Sequence, residues 1–176
     1  MTKGFVQTVL ALDLATTTGY AFGKPRSTPK FGHMRIALKG WSRARAYREL
    51  RSWLGDFVHY NKIDLIVYES PAIPMQMGGR TTIETVRLLI GLAENLEEWA
   101  EGLCELREAS VSQVRSHFIG RNFKSAIAKP MTMEKCRALG WMCESHDESD
   151  ACALWDYQCS WLDPTHAIKG TPLFRA

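Results

Sequence analysis

The sequence predicts one α/β domain built on a five-stranded mixed sheet flanked by helices, and three observations predict it. At 176 residues the chain can bury one good core, and it carries no repeat, low-complexity tract or Pro/Gly-rich linker that would divide it. Three strand-like segments come first, and helix and strand patterns then alternate, an order that yields a mixed sheet with helices on its faces. The stretch "IDLIVYES" is apolar without a break from Leu65 to Tyr68, as a strand covered on both faces requires.

Val6–Leu14 and Gly19–Gly23 read as two strands joined by the threonine-rich turn Ala15–Thr18, with Phe31–Leu38 completing an antiparallel meander. In Trp41–Tyr60 the residues Tyr47, Leu50, Leu54, Phe57 and Val58 recur at helical spacing, while Arg45, Arg48 and Arg51 lie away from that stripe or at its edge. This predicts an amphipathic helix with a basic outer side. After the strand ending at Glu69, the loop "PAIPMQMGGR" leads to a helix opened by a capping box, Thr81 to Glu84. Ile83, Val86, Ile90, Ala93 and Ala100 form one apolar stripe on it, and Leu88, Leu92, Leu96 and Trp99 another. A helix apolar nearly all round is buried on two sides. The second side is predicted to be a partner subunit, giving a homodimer through 81–103, with packing under the C-terminal helix as the alternative. Leu103–Glu108 is the last strand, "SVSQVRSHFIG" a short helix, "RNFKSAIAK" a basic loop, and Thr132–Leu139 a further helix. The final helix runs from near Ser145 towards Trp161, so that residues 1–163 form the domain and 164–176 an extended, poorly anchored tail.

The net charge of +3 hides segregation. Lys24 to Arg51 holds nine basic residues and one acid, Arg115 to Arg137 six basic residues and one acid, and Glu84 to Glu108 seven glutamates and two arginines. Two basic segments around an acidic one fit a phosphate-binding surface on a folded body. Five cysteines (Cys104, Cys136, Cys143, Cys152, Cys159) without CxxC spacing suit a reducing compartment; with His146 their irregular spacing favours small buried thiols over a zinc site. No apolar run approaches the roughly 18 residues of a membrane span and no leader pattern opens the chain, so the expectation is a soluble cytoplasmic protein.

Asp13, inside "LALDLA", puts a carboxylate on a strand that is otherwise apolar. In the expected layout it lies on the central strand, Glu69 ends the neighbouring parallel strand, and Asp147 and Asp150 project from the start of the last helix. A capping box explains Ser145 and Glu148, but a spacing of three also sets Asp147 and Asp150 on one helix face, which a metal pair needs and a cap does not. Gathering buried carboxylates is costly unless cations compensate. A hard divalent ion removes the cost, and two ions about 4 Å apart can activate a water and stabilise the leaving oxygen in phosphodiester hydrolysis.

"LALDLATTTGYA", "IDLIVYES", "SVSQVRSHFIG" and "HDESDACALWDY" resemble the four blocks of the RuvC-type Holliday junction resolvases, a branch of the ribonuclease H-like nuclease superfamily, and most resemble phage-encoded members. The blocks cover under a third of the chain. The resemblance implies a ribonuclease H-like fold and a homodimeric endonuclease dependent on Mg²⁺, with Mn²⁺ able to substitute, that cuts four-way junctions and other branched DNA by paired nicks for recombination or repair. It makes Asp13, Glu69, Asp147 and Asp150 the metal-binding catalytic carboxylates, and places Arg115 and Lys124 at the scissile backbone. Arg45, Arg48, Arg80, Arg121 and Lys129 extend the expected DNA-binding set. The turn after Asp13 is "LATTTG" in place of a Pro-Gly turn, and the loop expected at the branch point carries Met75, Met77, Gly78 and Gly79 where cellular members place an aromatic wedge. Two rivals keep the same core. A non-catalytic branched-DNA-binding relative would have no reason to retain four mutually repelling carboxylates. An ATPase of the actin and sugar-kinase type would need a second phosphate motif and a longer chain.

Overall fold

The computed structural model describes residues 7–71 and 82–166. Five strands, β1 (Val9–Asp13), β2 (Thr17–Gly23), β3 (Lys30–Arg35), β4 (Leu65–Glu69) and β5 (Glu105–Ala109), form one sheet in the order β3-β2-β1-β4-β5. β1 runs antiparallel to β2 and parallel to β4, and β5 is parallel to β4, so the sheet is mixed as expected. Helices α1 (Arg43–Asn61) and α2 (Ile83–Ala100) cover one face; α3 (Val111–Ile119), α4 (Ser125–Ala138) and α5 (His146–Leu162) cover the other.

Strand alternation assigns side chains to the two cores. Leu10, Leu12, Ile66 and Tyr68 pack with Leu50, Leu54, Leu92 and Leu96 of α1 and α2. Val9, Ala11, Leu65 and Val67 face the other way, with Ala21 of β2, against Ala151, Leu154 and Trp155 of α5. Ala11 and Ala21 are small, which lets α5 lie close to the sheet. By the same parity Asp13 and Glu69 fall on the α5 face.

Three expectations change. The basic "loop" is largely helix: α4 begins at Ser125 and runs through Pro130. The ring forfeits one backbone hydrogen bond in the second turn, and burial of Ala128, Thr132, Met133 and Cys136 outweighs that loss. α2 does not pack under the C-terminal helix, because the sheet separates them; its inner side meets α1, where the Arg51 guanidinium donates to Asn95 at 2.6 Å and pairs with Glu98. Its N-cap is Thr82, whose hydroxyl accepts from the Thr85 amide at 3.2 Å, while Thr81 lies outside the described residues. Four of the five cysteines are buried, with Cys143 and Cys152 as free thiols 3.8 Å apart, in keeping with small core residues. Among the described residues no helix is long and apolar enough to cross a membrane.

The first residues of the segment read as a tail are held. His166 is buried; its Nδ1 accepts from the Arg26 amide at 2.7 Å and its Nε2 donates to Asp156 at 3.0 Å. The other Asp156 oxygen meets His117 Nε2 at 2.9 Å, so one α5 carboxylate ties α3 to the segment after α5. Burial pushes this carboxyl up, but the two histidines outweigh it and hold it at about 2. A carboxylate held below its ordinary value adds stability that is full above the unfolded value and lost as pH falls through about 2; the shift is worth about 2 kcal/mol. Asp156→Ala is expected to lower the melting temperature at neutral pH and to flatten the acid arm of the stability curve. Thermal melts at descending pH check both.

Candidate active site

Asp13 and Glu69 end neighbouring parallel strands. The register pairs Leu12 with Tyr68, so the two carboxylates follow side by side at the carboxyl edge of the sheet, where α/β folds leave a crevice. After Asp13 the chain turns through "LATTTG", and the buried Thr18 hydroxyl fixes that turn, donating to the Ala15 carbonyl at 2.9 Å and accepting from its amide at 3.2 Å. The end of β4 is held by Ser70, whose amide donates to Ala109 at 2.9 Å and whose hydroxyl donates to Glu108 at 2.6 Å.

α5 delivers the other two carboxylates. Its N-cap is Ser145, which accepts from the Glu148 amide at 3.2 Å as the sequence suggested. The Glu148 side chain does not close a capping box. It accepts from the Glu144 amide at 2.7 Å and pairs with His33 Nδ1 of β3 at 2.8 Å, pinning the helix start across the meander. Gly19, paired with Asp13 in the register, lies directly under this turn. A Cβ there would stand 1.9 Å from the Asp147 carbonyl oxygen, so only glycine admits the helix.

Asp13, Glu69, Asp147 and Asp150 line one open cleft of about 1340 Å³, together with Arg115, Lys124 and Lys129. That exceeds the volume of a typical small-molecule pocket, about 300–1,000 Å³. Burial first, and then the charges of Glu69, Asp150 and Asp147, push the Asp13 carboxyl well above the usual range, against a smaller pull from Lys129. Burial and Asp150 raise Glu69 to about 7, opposed by Arg115 and Lys129. Asp150 is raised too, chiefly by burial, with Lys129, Arg115 and His146 in opposition. Burial and mutual repulsion therefore both oppose full ionisation of the cluster.

The donor set is all hard oxygen, which fits Mg²⁺ or Mn²⁺ and does not fit a soft metal. Among the described residues no three His, Cys, Asp or Glu side chains are already gathered tightly enough to hold an ion, so the arrangement is an open cleft and not a closed cage. Mg²⁺ keeps several waters and is commonly held by one or two carboxylates plus substrate phosphate, a coordination an open site allows.

The expected basic residues divide. Arg115, Lys124 and Lys129 reach the cleft, whereas Arg45, Arg48 and Arg121 are not among its lining residues. Arg45 stacks on Trp41 at 3.7 Å on the α1 side of the molecule. Arg80, Met75, Met77, Gly78 and Gly79 lie outside the described residues. The sequence reading missed Gly19 and gave Glu148 only a capping role, whereas both hold the start of α5 against the meander. A glycine register-paired with the buried aspartate was the available signal for the first.

A mixed sheet in this strand order, with helices on both faces, is the ribonuclease H-like fold. Within that class the chain has the fold of the RuvC-type resolvases. It is similar to Thermus thermophilus RuvC, at 11% identity and a TM-score of 0.61 over 90% of this chain and 97% of that one. T. thermophilus RuvC in complex with Holliday junction substrate matches at 10% identity and a TM-score of 0.65, over 88% and 95% of the two chains. The yeast mitochondrial Holliday junction resolvase Ydc2 matches at 16% identity and a TM-score of 0.57, over 92% and 80%. No family model matches the chain, and no curated protein matches it in sequence.

Proposed function

We propose that this chain is a divalent-metal-dependent, structure-selective endodeoxyribonuclease that resolves Holliday junctions and related branched DNA by paired nicks. The observation that carries the reading is the convergence of Asp13, Glu69, Asp147 and Asp150, from three remote segments, on one cleft also lined by Arg115, Lys124 and Lys129. The fold shared with a junction-bound resolvase supports the choice of substrate. In this reading the four carboxylates hold Mg²⁺, or Mn²⁺ in its place, which supplies charge compensation and a water activated for attack on phosphorus. Lys124 and Lys129 draw the backbone into the cleft, and Arg45, Arg48 and Arg121 meet the flanking arms, contacts that set position and not sequence. Met75, Met77, Gly78, Gly79 and Arg80 lie outside the described residues; the resemblance alone assigns that segment to the branch, where its methionines would press on unstacked bases. Synthetic four-way junction, fork, flap and linear duplex, incubated with and without Mg²⁺, test the whole. Metal-dependent cutting confined to branched DNA is the expected result. Tight branched-DNA binding without cutting in Mg²⁺ or Mn²⁺ would turn the reading to a non-catalytic binder.

The enzyme acts as a homodimer through α2 in this proposal, one nick per subunit. Leu92 and Leu96 are fully buried within the subunit, so the partner face is carried by Ile83 and Ile90, 59% and 42% exposed and two turns apart on one side of the helix. Replacing both with Glu is expected to give a folded monomer that no longer prefers four-way over linear DNA. Sedimentation of the parent as a monomer at micromolar concentration would refute this.

A further inference from the structure

We propose that Arg115 is a positioning residue: its guanidinium bridges the Phe123 carbonyl and the Ser125 hydroxyl and thereby holds the start of α4 over the carboxylate cleft. The proposal rests on the nuclease reading for what that geometry achieves, but not for the geometry. One Nη donates to Phe123 O at 3.1 Å and the other to Ser125 Oγ at 3.0 Å. The other bonds of this stretch are local: Phe123 N donates to Arg121 O at 3.0 Å, and Ile127 N and Ala128 N of α4 donate to Lys124 O at 2.9 Å, so among the described residues the Arg115 bonds are the ones that tie 121–125 to α3. α4 supplies no anchor of its own at this end, because its N-cap is Lys124, which has no side-chain cap bond. An uncapped helix start on an exposed loop frays unless something outside it accepts the task.

What depends on that start is the placement of two cations. Lys124 stands at the cap, and Lys129, a little over one turn further on, lines the cleft half-buried and forms no ion pair among the described residues. Both lysines line the same cleft as Asp13, Glu69 and Asp150, so small displacements of α4 move two cations relative to three carboxylates at once. Arg115, itself among the cleft's lining residues, thus also serves the cleft through the segment it holds. Lysine cannot replace it: a planar fork reaches two acceptors in fixed directions, whereas one ammonium on a flexible stem keeps the charge and loses the bridge.

Arg115→Lys, Arg115→Ala and Ser125→Ala, made in the full chain, test this by three readouts: amide hydrogen exchange, junction affinity without divalent metal, and steady-state cutting in Mg²⁺. Arg115→Lys should raise exchange at 122–128 by at least about tenfold with the melting temperature little changed. It should lower kcat by at least about tenfold while KM and metal-free affinity stay within about threefold. Ser125→Ala should move exchange and kcat the same way by less. Parental exchange at 122–128 in Arg115→Lys would overturn the proposal, as would an Arg115→Ala defect in junction affinity that lysine restores. Should the parent cut no branched DNA, the nuclease reading fails, and the exchange data alone decide whether Arg115 holds α4.

Discussion

Asp13→Asn is expected to abolish cutting while leaving the fold and junction binding intact. Asparagine keeps the shape and one oxygen but removes a charged ligand, and several kcal/mol of lost electrostatic stabilisation corresponds to about a thousandfold in rate. The same change should raise the melting temperature of metal-free protein, because burial and the charges of Glu69, Asp150 and Asp147 all oppose an ionised Asp13. The sign with pH follows from Glu69. Its carboxyl stands at about 7 in the fold against an ordinary 4.5, so the folded state holds the proton more tightly and the associated stability is present at low pH and lost as pH rises through about 7. Metal-free parent should therefore melt progressively lower from about pH 4.5 to about pH 7, a slope that added Mg²⁺ offsets most at the alkaline end. Thermal melts with and without Mg²⁺, beside a junction-cutting assay, measure all three effects. Cutting within a few fold of the parent would remove Asp13 from the catalytic set.

The sheet was legible because its strands obey simple alternation. "VLALD" reads as two apolar faces with a carboxylate at the end of one, and "LIVYE" repeats the pattern one strand over, so both acids follow from parity alone. The α5 acids were legible because a spacing of three on a helix is a local property. What could not be read is where α5 sits relative to the sheet. That is decided by Gly19 beneath it and by the Glu148–His33 pair across it, contacts between residues far apart in sequence. α4 was misread for a different reason: Pro130 is a strong local breaker, and the burial that overrides it comes from α5 and the core. The apolar surround of α2 was legible, but not which of its residues face inward: Val86, Ala93 and Ala100 of one stripe and Leu92 and Leu96 of the other are buried within the subunit, while Ile83 and Ile90 stay exposed.

Gly19→Ala is expected to damage stability and chemistry together, through one added methyl. The new Cβ would lie 1.9 Å from the Asp147 carbonyl oxygen and 2.4 Å from its carbonyl carbon, both backbone atoms, so no side-chain rotation relieves the contact. The first turn of α5 must lift by more than an ångström to restore ordinary separation, and Asp147 moves with it. Overpacking of this kind costs about 1–3 kcal/mol. Misplacement by about an ångström in a catalytic constellation costs on the order of a hundredfold in rate, so cutting should fall further than the loss of folded protein explains. Gly55 supplies the contrast within the same molecule. It lies in α1 with nothing near its missing Cβ, and Gly55→Ala should raise stability by about 0.5–1 kcal/mol and leave cutting unchanged. Paired thermal melts and single-turnover cutting of a four-way junction distinguish the two sites; a Gly19→Ala protein as stable and as active as Gly55→Ala would show that α5 does not depend on this contact for its height above β2.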